Sequence, residues 1–224
     1  MSRNWLKNTT YNASEYFDEK YFTVEGDRGW YNEWAFDLKN EWHKKWVEFL
    51  IENVPLKYNT KIIDLGTARG NVVYWLNKMG FDAYGVEVSE WCVKNAHSQK
   101  ILQADLSKHI PVVSESYDYV IAREVLEHIP ECEIDTTIRE IYRILKPKGI
   151  AIISNATNRA GKEDKKRKSG YYDPSHVLIR SPYWWIKKFK KFNLLISYED
   201  YVRISSEDWA LVNNWDIMIF RKEI

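Results

Sequence analysis

The stretch Lys61-Ile62-Ile63-Asp64-Leu65-Gly66-Thr67-Ala68-Arg69-Gly70-Asn71 limits the folds open to this chain more than any other. An apolar run ends in a carboxylate, two glycines follow, and Val72-Val73-Tyr74-Trp75-Leu76 continues with a pattern that suits a helix. Strand, tight turn and helix in that order open a nucleotide-binding α/β unit. Glycine suits the turn because the chain reverses sharply there, and a Cβ would keep a ligand off the backbone. The run G-x-G-x-x-G, whose later glycines admit a pyrophosphate, is absent, since Ala68 and Asn71 occupy those positions.

A second apolar segment, Phe81 to Val86, ends at Glu87, 21 residues after Gly66. A carboxylate at that distance is placed to accept ribose hydroxyls, so a sugar-diol ligand is implied. Strands are expected at 61–65, 82–87, 101–104, 117–122 and 150–154, alternating with helices near 70–79, 89–99 and 132–146. That is the pattern of a parallel sheet covered on both faces. Before it, Trp42, Trp46, Phe49 and Leu50 recur at helical spacing within 35–53. After it, Ser181-Pro182 starts a helix with Trp185, Phe189 and Phe192 as its inner stripe. Leu194 to Val202 and Trp215 to Phe220 then alternate as closing strands. The fold class expected is α/β, a doubly wound sheet of seven strands.

Several further segments fall in a telling order. They are Asp64-Leu65-Gly66 with Gly70, then Gly85-Val86-Glu87-Val88, Gln103-Ala104-Asp105-Leu106 and Tyr117-Asp118-Tyr119-Val120-Ile121-Ala122. Glu124-Val125-Leu126-Glu127-His128-Ile129-Pro130 and Leu145-Lys146-Pro147-Lys148-Gly149 complete the set. With these the chain resembles the class I S-adenosylmethionine-dependent methyltransferases, especially the group acting on small molecules. The likeness covers roughly residues 60–155 and departs from the family at Ala68, where glycine is common. It implies a Rossmann-like sheet with an antiparallel C-terminal strand. It also implies a cofactor site in which Asp64 and Gly66 flank the methionine moiety, with Gly70 completing the turn. Glu87 would hold the ribose, Val88 and Leu106 the adenine faces, and Asp105 the adenine amino group, while Arg123 would lie close to the methyl group. Asp118 falls inside a strand and is read as a local structural contact.

Methyl transfer is an in-line displacement at an activated carbon, so a protein base matters only for a hydroxyl or protonated-amine nucleophile. His128 and His176 are the candidate catalytic residues, the latter in Asp173-Pro174-Ser175-His176; His43, His97 and His109 have no comparable placement. Glu124, Glu127 and His128 stand at i, i+3 and i+4, so on a helix they would share a face, and His176 could join them. Two carboxylates and two imidazoles suit Mg²⁺ or Mn²⁺ with two positions left for a vicinal diol. The set is similar to the metal site of RNA 3′-terminal ribose methyltransferases, and Glu-x-x-Glu-His also occurs in ubiquinone-pathway O-methyltransferases. In relatives without metal, Glu127 would be only an acid at a helix start.

Lys plus Arg is 33 against 32 for Asp plus Glu, which provides no global attraction for nucleic acid or an anionic membrane. The two cysteines lack metal-type spacing, and no run is long enough to span a bilayer, so a soluble cytoplasmic enzyme is expected. Residues 1–55 read as a helical lid within the same domain, with Tyr16, Tyr21, Trp30 and Tyr31 as lid aromatics; residues 56–224 read as the cofactor-binding domain. The expected partner is a small-molecule acceptor, methylated on oxygen or nitrogen. The basic loop from Arg159 to Lys168 makes RNA the alternative, through ribose methylation. A cofactor-binding module without catalysis is a third reading. DNA is disfavoured because neither an Asn-Pro-Pro-Tyr nor a Pro-Cys sequence follows the fourth strand.

Overall fold

The computed structural model describes residues 12–23, 36–155, 175–205 and 216–223. Five parallel strands come first: β1 (Lys61–Leu65), β2 (Asp82–Glu87), β3 (Ile101–Gln103), β4 (Tyr117–Arg123) and β5 (Leu145–Asn155). Two more, β6 (Leu194–Ile196) and β7 (Asp216–Lys222), close the sheet in the order β3-β2-β1-β4-β5-β7-β6. β7 runs antiparallel to β5, and β6 antiparallel to β7. The seven-stranded doubly wound sheet expected from the sequence is therefore present, antiparallel end included. The chain order reverses between β1 and β4, which opens a crevice at their carboxyl ends.

Helices cover both faces. Among the described residues they are α1 (Ala13–Tyr16), α2 (Glu19–Thr23), α3 (Trp42–Asn53), α4 (Asn71–Lys78), α5 (Glu90–Lys94), α6 (Ile134–Ile144), α7 (Pro182–Lys190) and α8 (Tyr198–Ser205). On one face Ile63, Leu65, Val120 and Ala122 meet Ile138 and Ile141 of α6 and Trp185 and Phe189 of α7. On the other Ile62, Ile121 and Ile152 meet Trp46 and Leu50 of α3 and Val72, Val73 and Leu76 of α4. Burial on both faces explains why β1 and β4 read as continuous apolar runs rather than alternating ones. Among the described residues no helix is long and apolar enough to cross a membrane.

The elements depart from expectation in identifiable places. The helix expected from residue 35 begins at Trp42, because Asp37 and Asn40 accept the backbone N–H groups of Lys39 and Trp42 and hold the preceding chain in turns. α5 stops at Lys94, well short of residue 99, and the His97 N–H leaves the helical ladder for the Arg69 carbonyl. β5 starts at Leu145 rather than Ile150, with Lys148 at φ 65 and a register shift opposite Tyr117 and Tyr119. The strand expected over 194–202 is β6 followed by α8. Ser197 Oγ donates to Asp200 at 2.7 Å, and Tyr201 N–H reaches the Ser197 carbonyl, which is a capping arrangement that turns the alternating stretch helical. Asp118 accepts from Lys61 N–H and from Lys146, the local contact its mid-strand position implied.

Candidate functional site

The turn after β1 is left-handed at three positions, Gly66 (φ 68), Ala68 (φ 50) and Gly70 (φ 77). A Cβ on Gly66 would lie 2.3 Å from Val125 Cγ2, and one on Gly70 would lie 2.4 Å from Ile101 Cδ1. Gly66 is thus required by close approach as well as by backbone conformation, and Gly70 chiefly by backbone conformation, since the end of the Ile101 side chain can move. Ala68 takes the same left-handed region with a Cβ, at a cost of about 1 kcal/mol. Gly66 and Thr67 donate to the Val86 carbonyl, fastening this turn to the end of β2.

Glu87 sits there, 4% exposed. Its Oε2 accepts Ala68 N–H at 2.7 Å, and its Oε1 accepts the N–H groups of Val88 and Ser89 at 2.9 Å each. Burial raises its pKa, and the bonds from Ser89, Ala68 and Val88 work against that rise. A carboxylate has about four acceptor sites, so three backbone amides leave room for one further donor. Glu87 therefore organises two turns by itself. Ser89 caps α5 by accepting Cys92 N–H.

Asp64, near the end of β1, is 4% exposed. Desolvation pushes its pKa up to about 6 from 3.8, with the charge of Glu87 adding to the rise and that of Arg123 opposing it. Arg123 ends β4 but is committed to α3. Its guanidinium lies 4.7 Å from the Trp42 ring and 4.6 Å from the Trp46 ring, and Nη2 is 2.8 Å from His43 Nδ1. His43, which showed no placement in sequence, is thus buried at the same end of the sheet. Asp105 Oδ1 accepts Ser107 N–H, and the Leu106 carbonyl accepts from Thr137, while Val88 is half-buried and Leu106 buried beyond β2 and β3.

The chain after β4 does not continue as a helix. Glu124 is left-handed (φ 51) and donates its N–H to the Ser154 carbonyl; only Leu126–His128 form a 3-10 turn. Val125 packs against Gly66, in the space a Cβ there would fill. The shared helical face expected for Glu124, Glu127 and His128 is consequently not formed. Glu127, His128 and His176 do come together, with one ligand-type atom from each lying within 4.8 Å of the others, and Glu124 is not in this group. His176 reaches it because the N–H groups of Val177 and Leu178 both donate to the Glu127 carbonyl at 2.9 Å. The two imidazole centroids are 4.7 Å apart, and His128 Nδ1 is 2.7 Å from Ser175 Oγ. His109 instead pairs with Glu140 at the surface.

The N-terminal helices lie over this region. The Phe17 ring stands nearly perpendicular to His128 with centroids 5.4 Å apart, while Tyr21, Phe22 and Phe36 pack with Trp91 and Cys92 of α5 and with Ala68 of the β1 turn. The Phe36 carbonyl meets Asn71 Nδ2 at 3.0 Å and His97 Nε2 at 2.8 Å. Tyr16 and Tyr21 thus belong to a layer over the β1 turn, whereas Trp30, Tyr31 and the basic stretch 158–170 lie outside the described residues.

With this geometry the comparisons agree. A family model described as a methyltransferase domain matches residues 31–194. The chain belongs to the S-adenosylmethionine-dependent methyltransferase family. The ubiquinone biosynthesis O-methyltransferase of Aliivibrio fischeri is 23% identical to this methyltransferase over 143 residues, covering 60% of each. The chain therefore spans about 60% of the length of that curated relative. Among solved structures, a chain of the Haloferax volcanii complex between the Trm112 activator and a methyltransferase superposes with TM-score 0.64. It is 18% identical, and the match covers 86% of this chain and 97% of that one. Phosphoethanolamine N-methyltransferase 2 of Haemonchus contortus, solved with phosphomonomethylethanolamine and S-adenosylhomocysteine, has TM-score 0.61 at 18% identity, over 82% of this chain and 53% of that one. At such identities the structures speak for the fold of the methyltransferase alone.

Asp64 yields a pH test. Its raised pKa means that ionisation costs the folded chain stability above pH 6, and the cost vanishes below 3.8, where folded and unfolded states both carry the proton. Asp64→Asn should therefore stabilise the ligand-free methyltransferase by up to roughly 3 kcal/mol at pH 8 and by almost nothing near pH 3.5. Urea unfolding at the two pH values measures the difference; an equal effect at both would contradict the shift.

Proposed function

We propose that this protein transfers the methyl group of S-adenosylmethionine to an oxygen or nitrogen of a small molecule. The observation that carries the reading is the group of buried Glu127 and His128 with half-buried His176, on the segment after β4 whose Val125 packs against Gly66 in the turn of β1. Gly66, Gly70 and Asp64 supply the methionine side, and Glu87 offers its one remaining acceptor site to a ribose hydroxyl. Val88 and Leu106 flank adenine, and Asp105 takes the adenine amino group. Arg123 acts from the α3 side, tempering the charge of Asp64 near the methyl group.

S-adenosylmethionine, held by these residues, would supply a methyl group on a positively charged sulfur, which would keep the carbon–sulfur bonding pair and leave as S-adenosylhomocysteine when an acceptor lone pair takes the methyl. For a hydroxyl acceptor the proton leaves to His128, with His176 beside it. The residues of the site align donor and acceptor, and the aromatic layer carrying Phe17 and Tyr21 excludes water from them.

The same three donors favour a second form of this reading. One carboxylate and two imidazoles fit a first-row divalent ion such as Mn²⁺ better than they fit Mg²⁺, and Glu124 is not among them. Such an ion, held by Glu127, His128 and His176, would lower the pKa of an acceptor hydroxyl.

Two measurements test these assignments. Glu87→Gln places an amide donor against backbone N–H groups, so it should weaken S-adenosylmethionine binding at least tenfold by calorimetry and lower stability by about 1–3 kcal/mol. Unchanged affinity in the folded variant would remove Glu87 from the site. Tritiated S-adenosylmethionine with a panel of phenols, polyols and amines, and an RNA oligonucleotide alongside, should label small molecules. Label in the RNA alone would overturn the acceptor class. Activity lost in EDTA and restored by Mn²⁺ supports the ion, and full activity in EDTA leaves His128 as base.

A further inference from the structure

The side chain that ends β5 is an amide without a partner. Asn155 is 1% exposed, and among the described residues neither its Nδ2 nor its Oδ1 has a hydrogen-bond partner. A carboxamide can donate through two N–H groups and accept through two lone pairs, and all of these are left unused away from solvent. A buried amide in that state costs free energy, and native chains rarely keep one unless the position has a further use.

The sheet fixes where this amide stands. β5 lies between β4 and β7, and the register sets Asn155 opposite Asp216 of β7 and Ser154 opposite Arg123 of β4. The Glu124 N–H donates to the Ser154 carbonyl, which ties β5 to the first residue after β4 as well. Ala151 and Ile153 belong to the apolar layer that includes Leu126, Ile129, Val177 and Leu178. Side chains alternate along a strand, so Asn155, two residues beyond Ile153, is on that same face. Leu126 and Ile129 bracket Glu127 and His128, and Val177 follows His176. The amide therefore stands at the carboxyl end of the sheet, on the face that carries the group of Glu127, His128 and His176. It is buried like Asp64, Glu87 and Glu127, so whatever admits a ligand to those groups opens the same end of the sheet.

We propose that Asn155 is a specificity-determining residue, whose amide hydrogen-bonds a neutral group of the methyl acceptor that both donates and accepts, a hydroxyl or a carboxamide. The inference rests on the reading of the chain as a small-molecule methyltransferase and names the acceptor chemistry which that reading leaves open. Nδ2–H donates to the oxygen of this group, and Oδ1 accepts its O–H or N–H. No proton changes hands, so Asn155 contributes binding and orientation, held ready by a strand paired on both sides. An anionic group would gain nothing from Oδ1 and would face the Asp216 carboxyl group across the strand pair.

Exchanging the amide for an apolar side chain of similar shape separates this role from a structural one. Asn155→Leu removes an unanswered polar group, so the melting temperature of the ligand-free full chain should rise by about 2–4 °C. Asn155→Ala, which cannot overfill the site, should not lower it by more than about 2 °C. In both variants the calorimetric affinity for S-adenosylmethionine should stay within about twofold of wild type. With tritiated S-adenosylmethionine, KM for a hydroxyl-bearing acceptor of the panel should rise about tenfold, while kcat changes by less than about threefold. The wild type should favour the member of a matched pair that carries the additional hydroxyl, catechol over phenol, and both variants should lose that preference. A melting temperature lowered by several degrees in both variants would show that the amide is bonded within the folded chain, and would overturn the assignment. Unchanged KM and preference would do the same, leaving the amide to an ordered water. A wild-type chain that labels no member of the panel would instead remove the reading on which the inference rests, and the inference with it.

Discussion

The structure turns on the missing side chain at Gly66. Because there is no Cβ, Val125 can occupy the space that atom would fill, 2.3 Å from its ideal position. That one approach brings the turn after β1 against the turn after β4, and it does so at the reversal of strand order where the sheet offers a crevice. The consequences spread in both directions. Toward β2, Gly66 and Thr67 share the Val86 carbonyl and Ala68 reaches Glu87. Toward β4, Val125 follows the left-handed Glu124 and precedes the short turn that carries Glu127 and His128.

The same end of the sheet concentrates cost. Asp64, Glu87 and Glu127 are all buried there, and Ala68 and Glu124 hold left-handed backbone with side chains attached. Each such backbone residue costs about 1 kcal/mol or more, and a buried carboxylate costs more still unless hydrogen bonds and cations answer it. Glu87 is answered by three backbone amides, whereas Asp64 is left with a pKa near 6. The expense is offset by the two apolar layers on either side of β1 and β4, whose aliphatic side chains are almost wholly excluded from water. An arrangement of this kind persists because the surrounding sheet over-determines it, and it places charge where a ligand can use it.

Features with a local chemical cause were legible in the sequence. The glycine turn, the strand ending in Glu87 and the buried strands follow from short-range pattern, and the antiparallel end from the resemblance to the family. What escaped was set by contacts between distant segments. The spacing of Glu124 from Glu127 and His128 would put them on one face of a helix, but the approach of Val125 to Gly66 is invisible in that spacing. Ser175 adjoins His176 in sequence, yet its contact with His128 accompanies the bonds of residues 177–178 to Glu127, which no spacing shows. His43 joins Arg123 across 80 positions. The misassigned strand over 198–202 had a readable signal, since Ser197 immediately before α8 and Asp200 in its first turn stand at capping-box spacing. Glu87 ends β2 where the apolar run placed it, but its three partners are backbone amides, which no residue-type motif records.

The central claim is that one crevice, built by the contact of Gly66 with Val125, holds the methyl donor next to the His128 and His176 pair. The most direct test is a crystal structure with S-adenosylhomocysteine. The ligand should lie along the turn from Gly66 to Gly70 with a ribose hydroxyl on Glu87, its sulfur facing the space beside His128. A ligand bound elsewhere on the sheet, or one whose sulfur is walled off from His128 by ordered protein, would contradict the account.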